Sequence, residues 1–410
     1  SMFSGVTGLK NHQVKMDVIG NNIANINTVG FKKSRVTFQD ALNQTIQSAS
    51  SPQGNRGGTN PMQIGLGMNI ASIDTLHTSS SIEYTGNMTD LAIEGDGYFI
   101  LSDGAQYYYT RAGNFGFDEE GNFVSTSTGL KVMGWQFDLT GTQPPNTSPQ
   151  NIGSIVVKKG MMMPAKATSE VSFAKNLNSD DEVGVSYIIP FKVYDSKGSA
   201  HNLIIEFNKT DVNTWEYTIT HSDNISISNN EGELVFDEKG NINLDDSDIS
   251  EVTIDLSSVG AEDITFTLDF SGVTQYAKET SIDLSSQDGY AAGTLLGIAI
   301  DTNGVITGVF DNGQNRAMAQ VALANFDNPQ GLTKAGQNLY TYSNNSGEPQ
   351  IGLSGTGGRG TISPSSLEMS NVDLSEEFTQ MIITQRGFQA NARIITASDE
   401  MLQELVNIKR

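Results

Sequence analysis

Cysteine is absent from this chain of 410 residues, and histidine occurs at only four scattered positions. A chain without cysteine forms no disulfide, and it offers no thiolate to a metal and no cysteine nucleophile to a reaction. None of the histidines has a second ligand residue at a spacing typical of zinc sites, and no group of polar residues forms a catalytic constellation. We therefore expect no catalytic residue, no metal site and no cofactor.

Basic charge and long apolar runs are also scarce. The 24 lysines and arginines stand against 47 aspartates and glutamates, which gives a net charge of −23. Nucleic-acid binding depends on clustered Lys and Arg, so this balance argues against such a partner. No apolar run reaches the roughly 18 residues of a membrane span, and the N-terminal residues lack the pattern of a cleaved signal peptide. We expect no membrane insertion and no export by that signal.

Both ends of the chain carry apolar residues repeated every seven positions, a spacing typical of coiled-coil helices. The sequence predicts a first helix over 3–26 with Gly30 as its C-terminal cap. A second helix is expected to begin at Asp373, with Glu376 completing a capping box. We call the repeated residues and those on the adjacent row the predicted seam: Met2, Leu9, Met16, Ile19, Ile23 and Ile26, with Leu374, Phe378, Met381, Phe388, Ile395, Leu402 and Val406.

Two arrangements satisfy this pattern, a helical hairpin within one chain and a coiled-coil-like layer between copies. The spacing alone does not choose between them. The apolar surface of one row is small against the backbone entropy of ordering a helix of roughly 35 residues. Because the chain offers only its other end as a partner, we expect neighbouring copies to supply the remaining surface.

The residues between the helices have the short apolar runs and turn residues of β-strands. We therefore expect a mainly β fold with α-helical termini and two β-domains in series, the outer one inserted in the inner one. The outer domain begins after a composition break at 141–145. The expected division is a helical terminal assembly domain at 1–30 and 368–410, an extended or irregular connector at 31–75 and 355–367, an inner β-domain at 76–145 and 273–354, and an outer β-domain at 146–272.

Asp followed by Gly three residues later recurs at Asp118–Gly121, Asp195–Gly198, Asp237–Gly240 and Asp301–Gly304. Asp and Gly at this spacing favour tight turns between antiparallel strands. Calcium loops need further oxygen ligands at alternate positions, which are missing here. The glycines of 355–360 lack the Lys-Ser/Thr of a phosphate-binding loop, so we interpret that stretch as a flexible hinge.

Several motifs resemble those of the bacterial flagellar rod and hook axial protein family. The N-terminal motif covers residues 21–32, and its signature residues are Asn21, Asn22, Asn25, Asn27, Gly30 and Phe31. The segments 367–378 and 385–391 are similar to the closing helix of that family. The segments 90–99, 109–115 and 320–326 are similar to its β-domain motifs. The resemblance covers both ends and the inner β-domain, and hardly touches the insertion.

The resemblance implies a tubular polymer, with the terminal helices in an inner layer and the β-domains progressively outward. Within the family, the length and the insertion point to a structural subunit of the hook, a flexible curved tube that works as a universal joint and transmits torque from rod to filament. The implied partners are copies of the same chain, the rod, hook-cap and hook–filament junction proteins, and the export apparatus. The implied location is extracellular, in the flagellum, after export without a cleaved signal peptide.

Two other functions remain open at this stage. A distal rod protein would form a stiffer tube and would have a shorter outer domain. An adhesin would use its outer domain to bind a host ligand and would need clustered exposed aromatic side chains, whereas the sequence offers Trp215 and scattered tyrosines.

Because ordering the helices costs backbone entropy, we expect the two ends to be disordered in the free chain and helical in an assembly. Circular dichroism before and after polymerisation measures this change. We expect the helical signal at 222 nm to increase on assembly, and an unchanged signal would contradict the prediction.

Overall fold

A computed structural model describes residues 2–52, 54, 56–138, 146–223, 225–257 and 260–408. The fold is mainly β, with α-helices at the two ends and several β-sheets between them, which confirms the fold class predicted from the sequence. The composition break at 141–145 lies outside the described residues.

The two terminal helices, α1 (Met2–Ala24) and α2 (Leu374–Ile408), pack antiparallel. Asp373 caps α2, because its Oδ1 accepts the backbone N–H groups of Ser375 and Glu376 at 2.8 and 3.1 Å. Glu376 does not complete the predicted capping box. Its carboxylate instead accepts a hydrogen bond from Lys33 Nζ at 2.7 Å, since the lysine offers an opposite charge.

The chain after α1 forms short strands that build the ribbon and the first part of the inner sheet. These strands are β1 Ser34–Asp40, β2 Asn43–Gln47, β3 Met62–Gly65, β4 Met68–Thr75, β5 Ile82–Tyr84, β6 Leu91–Glu94, β7 Tyr98–Ser102, β8 Tyr107–Thr110, β9 Phe115–Phe117, β10 Phe123–Ser125, β11 Lys131–Gln136, β12 Gly153–Ser154 and β13 Met162–Met163.

Residues 34–47 and 62–75 form a long two-stranded ribbon. Strand β1 pairs with β4, and β2 pairs with β3 beyond it. The sequence predicted an extended or irregular stretch here, because frequent glycines and prolines obscure the strand pattern. The ribbon is tied to α1 by Asn11, whose Nδ2 donates to the Met68 carbonyl at 2.6 Å.

The longest strands come next and form a β-sandwich. They are β14 Glu170–Asn178, β15 Ser186–Tyr194, β16 Ala200–Asp211, β17 Thr214–His221, β18 Ile227–Ser228, β19 Glu231–Val235, β20 Val252–Ile254, β21 Ile264–Tyr276 and β22 Asp283–Gln287. One sheet has the order β18-β20-β21-β14-β22, and the other has the order β15-β16-β17-β19. Alternate residues of each strand face a shared core that includes Phe207, Trp215 and Phe270.

The chain then returns to the inner sheet. The returning strands are β23 Gly293–Ile300, β24 Val305–Phe310, β25 Asn315–Val321, β26 Leu323–Asn325, β27 Thr333–Gly336, β28 Leu339–Thr341, β29 Gln350–Gly352, β30 Thr361–Pro364 and β31 Ser366–Glu368. The inner sheet joins strands from both sides of the sandwich, for example β25 with β11 and β26 with β7. Strands β30 and β31 pair with β6 and β5, so residues 361–368 lie in sheet structure rather than in an extended connector.

The strand pairing differs from the predicted insertion of 146–272. Strands β12 and β13 pair with β11 and β23 of the inner sheet, because Ile155, Val157 and Met163 are buried in the inner core. At the other end, β22 pairs with β14 of the sandwich. Its residues are mostly polar, as suits an edge strand, so the sequence carried no strong strand signal there.

Two antiparallel segments, 164–169 and 288–292, join the sandwich to the inner sheet, and we call them the neck. Lys166 and Tyr290 exchange both backbone hydrogen bonds at 3.0 Å. The Asp288 carboxylate accepts the backbone N–H groups of Ser169 and Glu170 and the Lys166 ammonium at 2.8 to 3.0 Å. Burial acts to raise the pKa of Asp288, but the hydrogen bonds from Lys166 and Ser169 hold it well below its ordinary value.

The four predicted Asp–Gly turns are confirmed. In each, the Gly N–H donates to the Asp carbonyl, and the glycine has a φ between +75° and +84°. The Asp carboxylates of these turns accept backbone N–H groups two or four residues later, as Asp301 does from Asn303 and Val305. Three of the turns connect β9 to β10, β15 to β16 and β23 to β24.

The glycine-rich stretch at 355–360 is a closed loop rather than an open hinge. Arg359 donates to the Leu353 and Gln350 carbonyls at 3.0 and 3.3 Å. Gly355 and Gly360 are joined by a backbone hydrogen bond of 3.0 Å across the loop. These bonds fold the glycines onto the inner sheet next to β30.

Candidate assembly surface

The face that joins the two terminal helices is made of small and polar residues. On α2, Glu377, Thr384 and Ser398 are buried and share a row with Asn391, each seven residues after the previous one. On α1, the buried residues are Gly5, Gly8, Asn11, Ile19 and Asn22. Polar contacts close the pair, with Lys15 Nζ donating to Gln380 at 3.0 Å and Asn22 Nδ2 to Glu377 at 3.1 Å.

Glycines allow the helices to approach closely. A Cβ atom at Gly8 would lie 2.7 Å from the Asn391 side chain, and one at Gly5 would lie 3.1 Å from Ile395. A Cβ at Gly387 would lie 2.8 Å from the ring of His12. Contacts this short exclude a larger residue unless the neighbour moves. The hairpin therefore depends on backbone proximity rather than on large apolar side chains.

Most of the predicted seam lies beside this packed row, although Ile395 reaches the face that α1 covers and contacts Gly5. Of the thirteen seam residues, Ile19 is buried. Leu9, Met16, Ile23, Ile26, Met381, Phe388 and Ile395 are half-buried at the edges of the hairpin. Met2, Leu374, Phe378, Leu402 and Val406 are exposed. The sequence pattern thus located the two helices, while the residues that join them within one chain are its small and polar neighbours.

Large apolar side chains remain exposed along α2, and we call this set the apolar stripe. It includes Leu374, Phe378, Ile382, Ile383, Ile394, Met401, Leu402, Leu405, Val406 and Ile408. Gly5 of α1 lies against Ile395, so the last turns of α2 extend beyond the start of α1. Leu405 is 63% and Ile408 is 78% exposed there. Exposed large apolar side chains grouped as they are on these last turns mark an interaction surface.

The ribbon presents a second exposed apolar face. Gln44 pairs with Ile64, and Leu42 accepts a backbone hydrogen bond from Leu66, so Leu42, Ile64 and Leu66 lie on one face. Leu42 is 80% exposed, and Met62 and Ile64 are each more than half exposed. A two-stranded ribbon is marginally stable alone in water. Its apolar face therefore needs cover from outside the chain.

A buried ion triad ties both helices to the inner β-structure. The Glu368 carboxylate accepts from Lys32 Nζ at 2.6 Å and from Arg111 Nη1 at 3.4 Å. Lys32 and Glu368 are fully buried, and Arg111 is 2% exposed. Lys32 precedes β1, Glu368 precedes α2, and Arg111 follows β8. One carboxylate thus joins three distant parts of the chain.

Further hydrogen bonds complete the triad. Lys32 Nζ also donates to the Thr78 carbonyl at 2.7 Å, and Arg111 Nη2 donates to the Gly95 carbonyl at 2.8 Å. Burial lowers the pKa of Lys32, and the charge of Glu368 opposes that shift. A buried charge set of this kind is stable only while every member keeps its partner.

The signature residues lie on the segment that leads from α1 to Lys32 of this triad. Asn22 accepts from the Ser34 N–H at 3.0 Å and donates to the Ser34 carbonyl at 2.8 Å, which fixes the turn between α1 and β1. Asn25 donates to Asn21 Oδ1 at 2.7 Å and stays within its own turn. Phe31 is half-buried and Asn27 is exposed. These contacts give the asparagines of the motif a structural role within one chain. The role of the motif in assembly remains a prediction.

Gly30 does not cap α1, which already ends at Ala24. It lies where the chain crosses the inner β-structure, with φ +68° and its N–H bonded to the Glu368 carbonyl at 2.8 Å. A Cβ there would lie 2.5 Å from the Ala112 nitrogen. Both the backbone angle and the close approach require glycine.

Sequence reasoning missed the triad and the small-residue row. Lys32, Arg111 and Glu368 each belong to a different motif of the family resemblance. These three charged residues in three motifs were the sequence feature that could have indicated the triad. His12 and Lys15 also lie at the helix interface. The described part of the chain brings together no group of three His, Asp or Glu side chains suited to a metal ion.

Family models match most of the chain. The model for the flagellar basal body rod protein matches residues 2–32, and that for the FlgE/F/G hook protein D1 domain matches 92–174. The FlaE D2 domain matches 162–290, and the C-terminal domain of the FlgEFG rod proteins matches 363–408. The D2 match covers the sandwich together with the neck.

Full-length relatives agree with these matches. The chain is 41% identical to the flagellar hook protein FlgE of Borreliella burgdorferi and 39% identical to that of Treponema pallidum, over 100% of this chain and 99% of each relative. It resembles the fold of Helicobacter pylori hook protein FlgE2 with a TM-score of 0.54, at 16% identity, over 71% of this chain and 100% of that one.

The chain therefore belongs to the family of structural proteins that form the rod and hook of the bacterial flagellum. Its full-length relatives at 41% and 39% identity are flagellar hook proteins. The rod protein FlgG of Bacillus subtilis is 34% identical over 100% of this chain and 99% of its own length. Length, on which the sequence argument relied, thus does not separate rod from hook. Among the described residues, no helix is long and apolar enough to cross a membrane.

The buried triad gives a first prediction. Lys32→Met removes one cation and should lower the free energy of unfolding of the inner β-structure by about 3–5 kcal/mol, as for other broken buried ion pairs. The matched control is Arg35→Met, because the Arg35 side chain in its pair with Asp74 is 57% exposed and such pairs contribute under about 1 kcal/mol. Urea unfolding followed by Trp135 fluorescence in a Trp215→Phe background measures both variants. Equal decreases in the free energy of unfolding for the two variants would contradict the structural role of the triad.

The glycine contacts give a second prediction. Gly8→Ala places a methyl group against Asn391, and overpacking costs about 1–3 kcal/mol, which exceeds the gain of up to about 1 kcal/mol in helix propensity. The critical concentration for polymerisation should therefore rise by up to about tenfold. Gly20→Ala is the control, because a Cβ there meets nothing within 4 Å. Alanine favours the helix by up to about 1 kcal/mol, so this control should polymerise slightly more readily. Sedimentation of polymer at graded concentrations measures both, and a shift in the same direction for both would count against the close-packed hairpin.

Proposed function

We propose that this chain is a structural subunit of the bacterial flagellar hook and assembles with copies of itself into a flexible tube. The observation that carries the proposal is the division of the helix surfaces. Small and polar residues close the hairpin within the chain, and the large apolar residues remain outside. Their burial is worth about 25 cal/mol per Å² and becomes available only when another copy covers them.

The exposed end of α2 supports packing between copies. Met401, Leu405 and Ile408 project beyond the start of α1 and are at least 61% exposed. In a homopolymer, each copy offers the same stripe, so one geometry of contact repeats along the tube. The predicted seam residues at the hairpin edges, such as Met381 and Phe388, then become buried between copies.

The ribbon supports the connector role predicted for residues 31–75. It leaves the helices near Gly67, where a Cβ would approach Ser4 to 3.2 Å, and it extends with its apolar face uncovered. In a helical array, such a ribbon reaches neighbouring copies and covers its Leu42 and Ile64 face against them. The four-part division of the chain is part of this proposal, with the outer domain bounded by the neck and residues 361–368 assigned to sheet structure.

The outer domain has properties that suit a joint which bends. Residues 165–290 hold 24 of the 47 acidic residues and 7 of the 24 basic residues. Like charges on neighbouring outer domains repel, and salt screens that repulsion over about 8–10 Å. Weak contacts between outer domains break and re-form at low cost as the tube bends, while the apolar inner layer stays packed.

The remaining parts of the proposal follow from a hook position. The tube would contact the rod at one end and the hook-cap or hook–filament junction proteins at the other, and it would lie outside the cell after passage through the export apparatus. A distal rod protein is the second candidate, because a full-length relative carries that name. Electron microscopy of the polymer separates the two, since the hook forms a curved tube and the rod a straight one.

Leu405→Asp tests the apolar stripe. A charge at this position must be desolvated on assembly, so we expect sedimentable polymer to disappear while the β-sheet circular dichroism stays unchanged. The control is Val212→Asp, which changes an even more exposed apolar residue of the outer domain and should leave polymer formation intact. Normal polymer from the Leu405→Asp variant would overturn the proposal that this stripe is the assembly surface.

A further inference from the structure

Three buried ionisable side chains meet at the end of the sandwich that faces the neck. Asp195 begins the turn between β15 and β16, His201 lies in β16 and His221 ends β17. Their exposed fractions are 1%, 8% and 6%. Buried groups that titrate near neutral pH are rare unless their hydrogen bonds fix their protonation state.

The hydrogen bonds run in one direction through the three side chains. The backbone N–H of Asp223 donates to His221 Nδ1 at 2.9 Å. His221 Nε2 lies 3.4 Å from His201 Nδ1, and His201 Nε2 lies 3.4 Å from Asp195 Oδ2. A backbone N–H can only donate, so His221 Nδ1 carries no proton. Neutral His221 then donates from Nε2 to His201, and His201 donates from Nε2 to Asp195.

An added proton breaks this relay wherever it binds. A proton on His221 Nδ1 would point at the N–H of Asp223, and two donors form no hydrogen bond. A proton on His201 Nδ1 would likewise point at the Nε2–H of His221. In either position the proton sets two donors against each other, so protonation favours displacement of His221.

We propose that the Asp195–His201–His221 relay is a pH-sensitive switch that stiffens the joint between the sandwich and the inner β-structure when both histidines are neutral, and loosens it on acidification.

The turn that begins at Asp195 connects the relay to the neck. Oδ1 of Asp195 accepts the backbone N–H groups of Lys197 and Ser199 at 2.9 and 2.8 Å, while Oδ2 faces His201. Gly198 in this turn touches both neck segments. A Cβ there would lie 2.9 Å from the Ala165 side chain and 3.0 Å from the Ala292 nitrogen. A change at Oδ2 therefore reaches a turn that is packed directly on the neck.

The charges around the relay determine its response to pH. Burial lowers the pKa of His221 and a charge on His201 lowers it further, while Asp223 acts in the opposite direction. Burial acts to raise the pKa of Asp195, but hydrogen bonds from Ser199 and His201 lower it overall. Because His221 binds its proton less readily in the folded chain, the stabilising effect is present above about pH 6.5 and is lost as the pH falls below that value.

Nitrogen NMR of the imidazole rings tests the relay in the full chain without any substitution in it. With four histidines, the spectrum has few signals, and single His→Gln variants assign them. At pH 7.5 we expect His201 and His221 both to carry the proton on Nε2, and His221 to titrate below 6.5. A proton on Nδ1 of His221, or a titration at or above 6.5, would overturn the proposal.

A distance measurement tests the coupling to the joint. Because the chain has no native cysteine, only the two introduced cysteines carry spin labels, Val212→Cys in the sandwich and Leu296→Cys in the inner sheet. We expect the distance distribution of the unpolymerised chain to broaden between pH 7.5 and pH 5.5. His221→Gln, which does not titrate, should abolish the response, and His12→Gln in α1 should retain it. An unchanged distribution, or an equal change in His221→Gln, would refute the coupling.

Discussion

The Glu368 carboxylate holds the architecture together. It binds Lys32 and Arg111 where no water reaches, so the segment after α1, the segment before α2 and the inner β-structure meet at one buried charge. Ions in such a place keep a single geometry, because any rearrangement leaves one of them unpaired. The helices therefore leave the β-structure at a fixed position, and the surfaces they present to other copies are set from there.

Within the helical hairpin, two kinds of surface have separate tasks. In the row of Glu377, Thr384, Asn391 and Ser398, Asn391 packs on Gly5 and Gly8 and Glu377 accepts a hydrogen bond from Asn22, so this row needs little apolar area. The apolar stripe is left for neighbouring copies. If large apolar residues had closed the hairpin, little would remain to drive assembly. A subunit that must join identical copies gains from keeping its intramolecular contacts small and polar.

Farther out, the contacts become weaker and more polar. The neck consists of two segments held by Asp288, and the sandwich beyond it carries most of the negative charge. Such a layer resists close packing between copies, which suits a tube that bends. The proposed Asp195–His201–His221 relay lies at the boundary between the inner and outer parts, next to the neck.

Sequence patterns predicted the helices, the β-rich centre, the four Asp–Gly turns and the N-cap at Asp373, because each depends on local propensity or spacing. They did not predict the row that closes the hairpin, since small and polar residues carry no hydrophobic signal. They also missed the pairing of Lys32 with Glu368, because 336 residues separate the partners and only the fold brings them together. The polar edge strand β22 was missed because edge strands need no apolar alternation.

One set of helix residues closes the subunit, and another set joins the subunits. Cryo-electron microscopy of the polymer tests this division most directly. We expect Thr384 and Asn391 to face α1 of the same chain, and Ile382, Ile394 and Leu405 to face other copies. A polymer in which Leu405 and Ile394 face solvent, or in which the hairpin has opened to exchange helices between copies, would contradict it.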